Sequence, residues 1–329
     1  MNEVVLIAGG AVIAFTMLDV LWTTTSPHGA GPMTHALSRG VWTLALAVQR
    51  RTGRHELLVV LGPALLFVAV VTWAVGLWAG WLLVYSADPG AVADPSTGGP
   101  AGLASRVYFV GYVLWTLGAG PYLPQGPGWE VLTSVATFNG FAVVTIAITY
   151  LLEVLRAVTA KRQLAASIMN IGRTPDEFVR RAWDGDGFGG LAQHLPRLTS
   201  EVEDHAQRRR AYPVLHYFHG VSVRTAEAPA VAVLDDAVLL LSEGVAEGVR
   251  PAPAVLLPAR RSVEGYLDIR RDPGVEGPPP PPDLAAVAAA GIPVDEGAFA
   301  RAVAETRERR SKLAGAVRYA GWRWDEIGS

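Results

Sequence analysis

Apolar residues gather in three long blocks in the first half of the chain and in short periodic groups in the second. Residues 4–21 are apolar apart from Thr16 and Asp19. At about 1.5 Å per residue such a block crosses a hydrocarbon core of about 30 Å. Residues 57–85 carry no charge, and residues 131–152 form a third apolar block closed by Glu153, Arg156, Lys161 and Arg162. The three blocks predict three transmembrane helices. Between the first two, Met33, Leu37, Val41, Leu44 and Val48 recur at spacings of three and four. That spacing predicts an amphipathic helix over residues 33–49, lying on the membrane surface.

Past residue 155 charged residues become frequent, and the pattern is that of helices in water. The third block is expected to run on as helix to about Ile171, where Gly172 and Pro175 stop it. Further helices are expected over residues 195–211, 231–242 and 299–327. Residues 212–219 hold aromatic and histidine side chains on which helices can pack, and the proline run 278–282 reads as an extended spacer outside any core. The expected organisation has three parts. Residues 1–55 hold the first span and the interfacial helix, residues 56–155 form a second module, and residues 156–329 form a helical C-terminal domain.

Charge sets the orientation. Residues 1–154 hold 5 Lys+Arg and 7 Asp+Glu, whereas residues 155–329 hold 23 of each sign. The cluster Arg50, Arg51, Arg54 and His55 is cytoplasmic by the positive-inside rule. The second span then runs outward, residues 86–130 lie outside, and the C-terminal half is cytoplasmic in a multi-pass protein of the cell (plasma) membrane. Trp78, Trp81 and Tyr85 would mark the outer interface. Asp19 would pair with Arg39, Arg50 or His35. The start Met1-Asn2-Glu3 is negative, unlike a secretory signal, so the first span is read as retained.

Composition excludes several function classes. A mean hydropathy of +0.28 with 50% hydrophobic residues is too apolar for an ordinary soluble protein, and a net charge of −2 without a concentrated basic face gives no site for nucleic acid. Zero Cys removes disulfides and thiolate metal sites. His205, His216 and His219 lack a third ligand at diagnostic spacing, so no metal is expected. Gly185 to Gly190 matches Gly-x-Gly-x-x-Gly, but follows a helical rather than a strand pattern, so no dinucleotide cofactor is expected. No intramembrane cluster of His, Glu or Asp supplies catalytic residues, and the chain is read as not an enzyme.

One segment carries chemistry. Ser105 is placed to cap a short helix over residues 106–115, followed by Thr116-Leu117-Gly118-Ala119-Gly120 and then Pro121-Tyr122-Leu123-Pro124. A half-helix ending in alternating glycines leaves carbonyls unpaired, which beside lipid costs several kcal/mol each unless they meet water or ions. Carbonyls aimed at an axis replace a cation's hydration shell, and glycine permits the backbone angles required.

Residues 108–124, YFVGYVLWTLGAGPYLP, resemble the pore helix and filter of the two-span potassium channel family, a likeness that covers roughly residues 57–155. The resemblance implies that the carbonyls of Thr116, Leu117, Gly118 and Ala119, with Gly120 closing the filter and the Thr116 hydroxyl completing it, bind potassium or other monovalent cations. It also implies a homotetramer in the lipid bilayer and a gating hinge at Gly140. The family usually has an aromatic at the position of Ala119 and an Asp at that of Pro121. Their absence implies weaker discrimination between ions, with Tyr112, Trp115 and Tyr122 as substitute packing. Around the mouth, Asp88, Asp94 and Glu130 would sit against Arg106. On the third span, the helical spacing of Thr137, Val144, Ile148 and Leu152 puts them on one stripe, facing either a pore or the neighbouring helices. The fold expected is an all-α membrane protein with three transmembrane helices, a re-entrant pore helix and filter loop, and a helical cytoplasmic C-terminal domain. The function expected is a passive cation channel, with a non-conducting membrane scaffold of the same architecture as the alternative.

Overall fold

In the computed structural model the described residues are 1–26, 30–52, 56–118, 120–220, 222–268 and 277–328. Arg54 and His55 of the basic cluster and Ala119 of the glycine-rich loop lie outside them. Helix α1 (Glu3–Thr25) begins where the Asn2 side chain accepts the Val5 N–H, 3.3 Å away. Helices α2 (Pro32–Thr52) and α3 (Glu56–Ser86) follow, and a short ribbon pairs β1 (Val92–Ala93) with β2 (Leu123–Pro124) antiparallel, Val92 opposite Pro124. Between the two strands lies α4 (Leu103–Leu114), and after β2 comes the 43-residue α5 (Pro127–Met169). Among the described residues α1, α3 and α5 are long and apolar enough to cross a membrane. With 12 residues α4 reaches only about 18 Å, too short to do so.

The chain divides into two compact units, Met1–Val41 with Pro63–Val154, and Trp42–Gly62 with Leu155–Ser329. This departs from the three-part organisation expected from sequence. In the first unit α1 joins α3 because glycines let the two backbones touch: a Cβ on Gly9 would lie 2.8 Å from the Gly80 carbonyl oxygen, and one on Gly76 would lie 2.7 Å from the Thr16 hydroxyl. Small residues at such crossings are what allow helices to associate where lipid removes the hydrophobic drive.

The helix at α2 forms where expected, but its buried stripe is Thr34, Ser38, Trp42 and Leu46, while Leu44 and Val48 face outward. The cause is Asp19. Its carboxylate is buried and accepts hydrogen bonds from the Thr34 hydroxyl (2.6 Å), the Trp73 indole (3.0 Å) and the Met33 N–H (2.9 Å). The basic partners expected for Asp19 are replaced by neutral donors at the start of a helix, where unpaired N–H groups favour an anion. Trp81 and Tyr85, expected at the outer interface, are buried instead, with the Tyr85 ring edge-on to Phe109 at 5.1 Å. Packing against α4 outweighs the interfacial preference.

In the second unit α6 (Pro175–Ala182), capped by Thr174, and α7 (Leu191–Ala211) lead to α8 (Glu227–Leu239), every residue of which is buried. Against α8 pack α6, α9 (Pro253–Asp268) and α12 (Arg307–Tyr319), while α10 (Leu284–Ala289) packs on α6 and α11 (Glu296–Glu305) on the turn Leu240–Gly244 that continues α8. The continuous helix expected over residues 299–327 is thus two helices and a final 3-10 turn (Trp324–Glu326), broken at Thr306 and at Gly321, whose φ is +84°. An apolar helix buried on all sides tolerates charge only in pairs. Asp235 accordingly bonds Arg309, and Asp236 takes a two-pronged contact from Arg310 at 2.8 and 3.0 Å. Arg310 also donates to the carbonyl of Pro279 at 3.0 Å, and Pro279 and Pro282 are buried. The proline run is therefore extended, as expected, but it is part of the core and not a free spacer. Trp42 packs on His216 and Tyr217 with ring centroids 5.2 and 5.4 Å away, which holds residues 42–62 to this unit.

Candidate functional site

Helix α4 starts at Gly102, in extended conformation, and not at Ser105, which lies inside the first turn. The start is set by Arg106. Its buried guanidinium donates to the carbonyls of Ala101 (2.9 Å), Tyr85 (3.0 Å) and Pro89 (2.7 Å). The expected contact of Arg106 with the acidic residues is not made. Asp88 accepts the Gly90 N–H at 2.9 Å, and Asp94 accepts the N–H and hydroxyl of Ser96 at 2.9 and 2.6 Å, contacts that hold the Asp94 carboxyl below its usual range. Turn chemistry within the loop uses those acids locally, and the arginine goes to carbonyls at the end of α3 (Tyr85), in the loop (Pro89) and before α4 (Ala101).

Phe109, Val110, Val113 and Leu114 bury one face of α4. The Trp78 indole donates to the Val107 carbonyl at 3.2 Å, and the Tyr85 hydroxyl meets that of Thr133 at 2.8 Å, so α3 grips both α4 and α5. The end of α4 rests on Gly140 of α5. A Cβ there would lie 2.7 Å from the Leu114 carbonyl carbon and 2.9 Å from its Cα, with the carbonyl oxygen closer still. Gly140 is thus a packing position in a helix that runs through it without a break.

The turn after α4 is closed by the Leu117 N–H donating to the Tyr112 carbonyl at 3.0 Å, with Thr116 at φ +63°. This six-to-one bond around a left-handed residue is a Schellman motif, in which that position is usually glycine. A β-branched residue held there costs about 1–3 kcal/mol. Gly118 (φ +98°) and Gly120 (φ +63°) are left-handed as well. Among the described residues nothing donates to the carbonyls of Thr116, Leu117, Gly118 or Gly120. All four residues are exposed. Beside them the Tyr108 ring packs tilted against Tyr112 at 4.4 Å and edge-on to Tyr122 at 5.9 Å, and a Cβ on Gly120 would lie 3.2 Å from Tyr112. Tyr108 is the residue of this packing that sequence reasoning missed. Its spacing of four from Tyr112 on a short helix was the available signal.

On α5 the Thr137 hydroxyl is used within the helix, donating to the Thr133 carbonyl at 3.0 Å. Val144, Ile148 and Leu152 are exposed in the single chain. The other candidates resolve structurally. His205 is buried, and burial pushes it down to about 3, which keeps it neutral. His216 stacks on Tyr319 at 4.2 Å and His219 on Trp322 at 4.8 Å. Among the described residues no group of three His, Cys, Asp or Glu could hold a metal. Gly185 to Gly190 joins α6 to α7, its turn tied by the Asp184 carboxylate, and the element that leads into it is the helix α6 and not a strand.

No family model matches the chain, and no solved structure matches it. Over 330 aligned residues it is 35% identical to an "Uncharacterized membrane protein YdjJ" of Bacillus subtilis (strain 168), and the alignment covers 98% of this chain and 96% of the relative.

Proposed function

The chain belongs to the family of that Bacillus subtilis membrane protein, and from this premise we propose that it is one subunit of a homotetrameric channel passing potassium or other monovalent cations. Helix α4 and the loop after it are the re-entrant pore helix and filter of this reading, with the ion path along Thr116, Leu117, Gly118, Ala119 and Gly120. The observation that carries the reading is a run of exposed residues at the end of a half-helix too short to span, with left-handed backbone at 116, 118 and 120 and no donor to the described carbonyls. In a membrane such carbonyls are tolerated only where they meet water or ions. One loop cannot surround an axis, and four related by a closed rotation can. In this reading α5 is the inner helix, splaying near Gly140, with Val144, Ile148 and Leu152 toward the pore. Residues 23–55 and 156–329 lie on the cytoplasmic side of the cell membrane in this reading.

The test is flux through purified protein in lipid vesicles, beside its mass in mild detergent. Potassium is expected to permeate through a tetramer, with sodium excluded incompletely because Ala119 and Pro121 replace the bracing pair of the potassium channel family. Gly118→Val should stop flux without changing assembly, since a β-branched residue resists φ +98°. Unchanged flux in a tetrameric variant refutes the ion path, and no flux in the parent protein leaves the scaffold reading in its place.

A further inference from the structure

A cavity of about 260 Å³ in the second unit is lined by Ala166, Met169, Asn170, Arg173, Arg181, Arg224 and Thr225. Its three guanidinium groups come from three places: the loop after α5, helix α6, and the 3-10 turn Val223–Thr225 that precedes α8. Elsewhere in this unit arginines find carboxylates: Arg180 meets Asp176, Arg197 meets Glu201 and Arg310 meets Asp236. Here a single carboxylate serves the group. Glu177 bonds Arg181 at 2.6 Å and accepts the Arg173 backbone N–H at 2.7 Å. The side chains of Arg173 and Arg224 make no ion pair among the described residues. Arg173 is half-buried and Arg224 exposed, so these two charges line a concavity open to solvent, where an anion would find both unpaired.

We propose that this cavity binds the phosphate group of a small phosphate ester. Phosphate presents oxygens in several directions and carries close to two negative charges, which suits guanidinium forks arriving from three elements better than a two-oxygen carboxylate. Asn170 adds an amide at the rim, and Met169 with Ala166 forms an apolar wall for a small organic body. A volume of about 260 Å³ lies just below the roughly 300–1,000 Å³ of pockets for drug-sized ligands, which excludes a dinucleotide. The mouth is fixed locally: Thr174 caps α6, and Ser222 and Thr225 form a reciprocal cap around the turn that carries Arg224. A bound phosphate would therefore tie the end of α5 to α6 and to the entry of α8. The source is a soluble ester and not a lipid headgroup, because Asn170 lies about 27 Å farther along the continuous α5 than Leu152, where the apolar block ends. The inference is independent of ion conduction.

The experiment uses the full chain in detergent and in phosphatidylcholine nanodiscs, with glycerol 3-phosphate as probe and glycerol as the uncharged control, read by calorimetric titration. Binding of glycerol 3-phosphate but not glycerol is expected. Arg173→Gln and Arg224→Gln should each weaken it roughly ten- to a hundredfold, the range for a charge-assisted contact. Arg180→Gln, whose side chain pairs with Asp176 outside the cavity, should not. Asn170→Asp, at an exposed site that tolerates the change, should weaken binding by repulsion, and it keeps the test informative if an arginine variant folds poorly. In a second arm, nanodiscs containing phosphatidic acid should leave affinity for the probe unchanged. Competition that depends on Arg224 would support the phosphate site and move its source to lipid. No binding in either arm, or binding unaltered by both arginine variants, overturns the proposal.

Discussion

Replacing Gly140 with alanine separates a packing glycine from a hinge glycine. In an exposed helix this change stabilises, because alanine is favoured over glycine by about 1 kcal/mol. At position 140 the added methyl meets backbone on all its nearest sides, lying 2.7 Å from the Leu114 carbonyl carbon and 2.9 Å from its Cα. Backbone cannot rotate away as a side chain can, so relief requires α4 and α5 to part by something on the order of 1 Å. Overpacking of this kind costs about 1–3 kcal/mol, and separation of the helices also loosens the buried contacts of Leu114 and Val113. The propensity gain offsets only part of that, and net destabilisation of at least about 1 kcal/mol is expected. Gly10, whose Cβ position meets nothing within 4 Å, is the matched control and should show no loss. Denaturant titration of the full chain in mixed micelles, followed by tryptophan fluorescence, reads both variants against the parent. If Gly140→Ala proved as stable as Gly10→Ala, the contact between the end of α4 and α5 would not exist as described. The position would then be free to serve as a hinge alone.

Three further outcomes follow from the geometry. Arg106→Gln should destabilise by about 3 kcal/mol or more in the same titration, since three buried carbonyls lose a charged donor worth about 1.5–3 kcal/mol each and an amide recovers at most one; equal stability would remove the clamp. The pH dependence of the second unit contains opposed contributions: burial pushes His205 down to about 3 and Asp235 up to about 6, the latter against the pull of Arg309. As pH falls from 6.5, an unfolded histidine gains a proton that folded His205 refuses, and stability is lost; from about 6 to 4 folded Asp235 gains its proton before the unfolded carboxyl does, and stability is recovered. Asp235→Asn removes the recovery, so urea titrations should show a steeper acid loss in the variant, and a shallower one would contradict the assignment. Because the chain has no cysteine, Asp94→Cys is a clean topology probe: an impermeant thiol reagent should label it from outside intact cells, and labelling only from the cytoplasmic face would invert the proposed orientation.

The three spans were legible because an apolar run of that length needs no tertiary information to be recognised. What escaped the sequence is how buried polar groups are satisfied. Asp19 was matched to basic residues by sign, yet inside a low-dielectric packed region a carboxylate is served as well by an indole, a hydroxyl and the start of a helix. The same network turned α2, because a stripe drawn through apolar positions cannot include Thr34 and Ser38, which are buried as polar residues. In the second unit α8 gives no amphipathic signal since it is buried on every side, and its paired aspartates find partners on α12, 74 residues further along. Long-range pairing of that kind has no local trace.

Arg106 and the loop after α4 make the contrast that matters most for function. Both lie where a glycine- and proline-rich stretch interrupts helices and frees carbonyls that no ladder will take up. At the start of α4 the chain places a buried arginine against three such carbonyls and closes the site. At the end of α4 it does the reverse: Thr116, Leu117, Gly118 and Gly120 are exposed residues whose carbonyls have no donor among the described residues, and a threonine is held in backbone that favours glycine. Sequence spacing located this loop through Gly118 and Gly120, but it could not foresee the strain at Thr116, because the left-handed turn is imposed by the bond from Leu117 back to Tyr112 and by the tyrosines packed beside it. Chains violate local preferences of this kind where function requires it and satisfy them elsewhere. In the proposed function this donor-free loop, whose strained Thr116 lies ten residues after the Arg106 clamp, is where a desolvated cation would meet carbonyl oxygen.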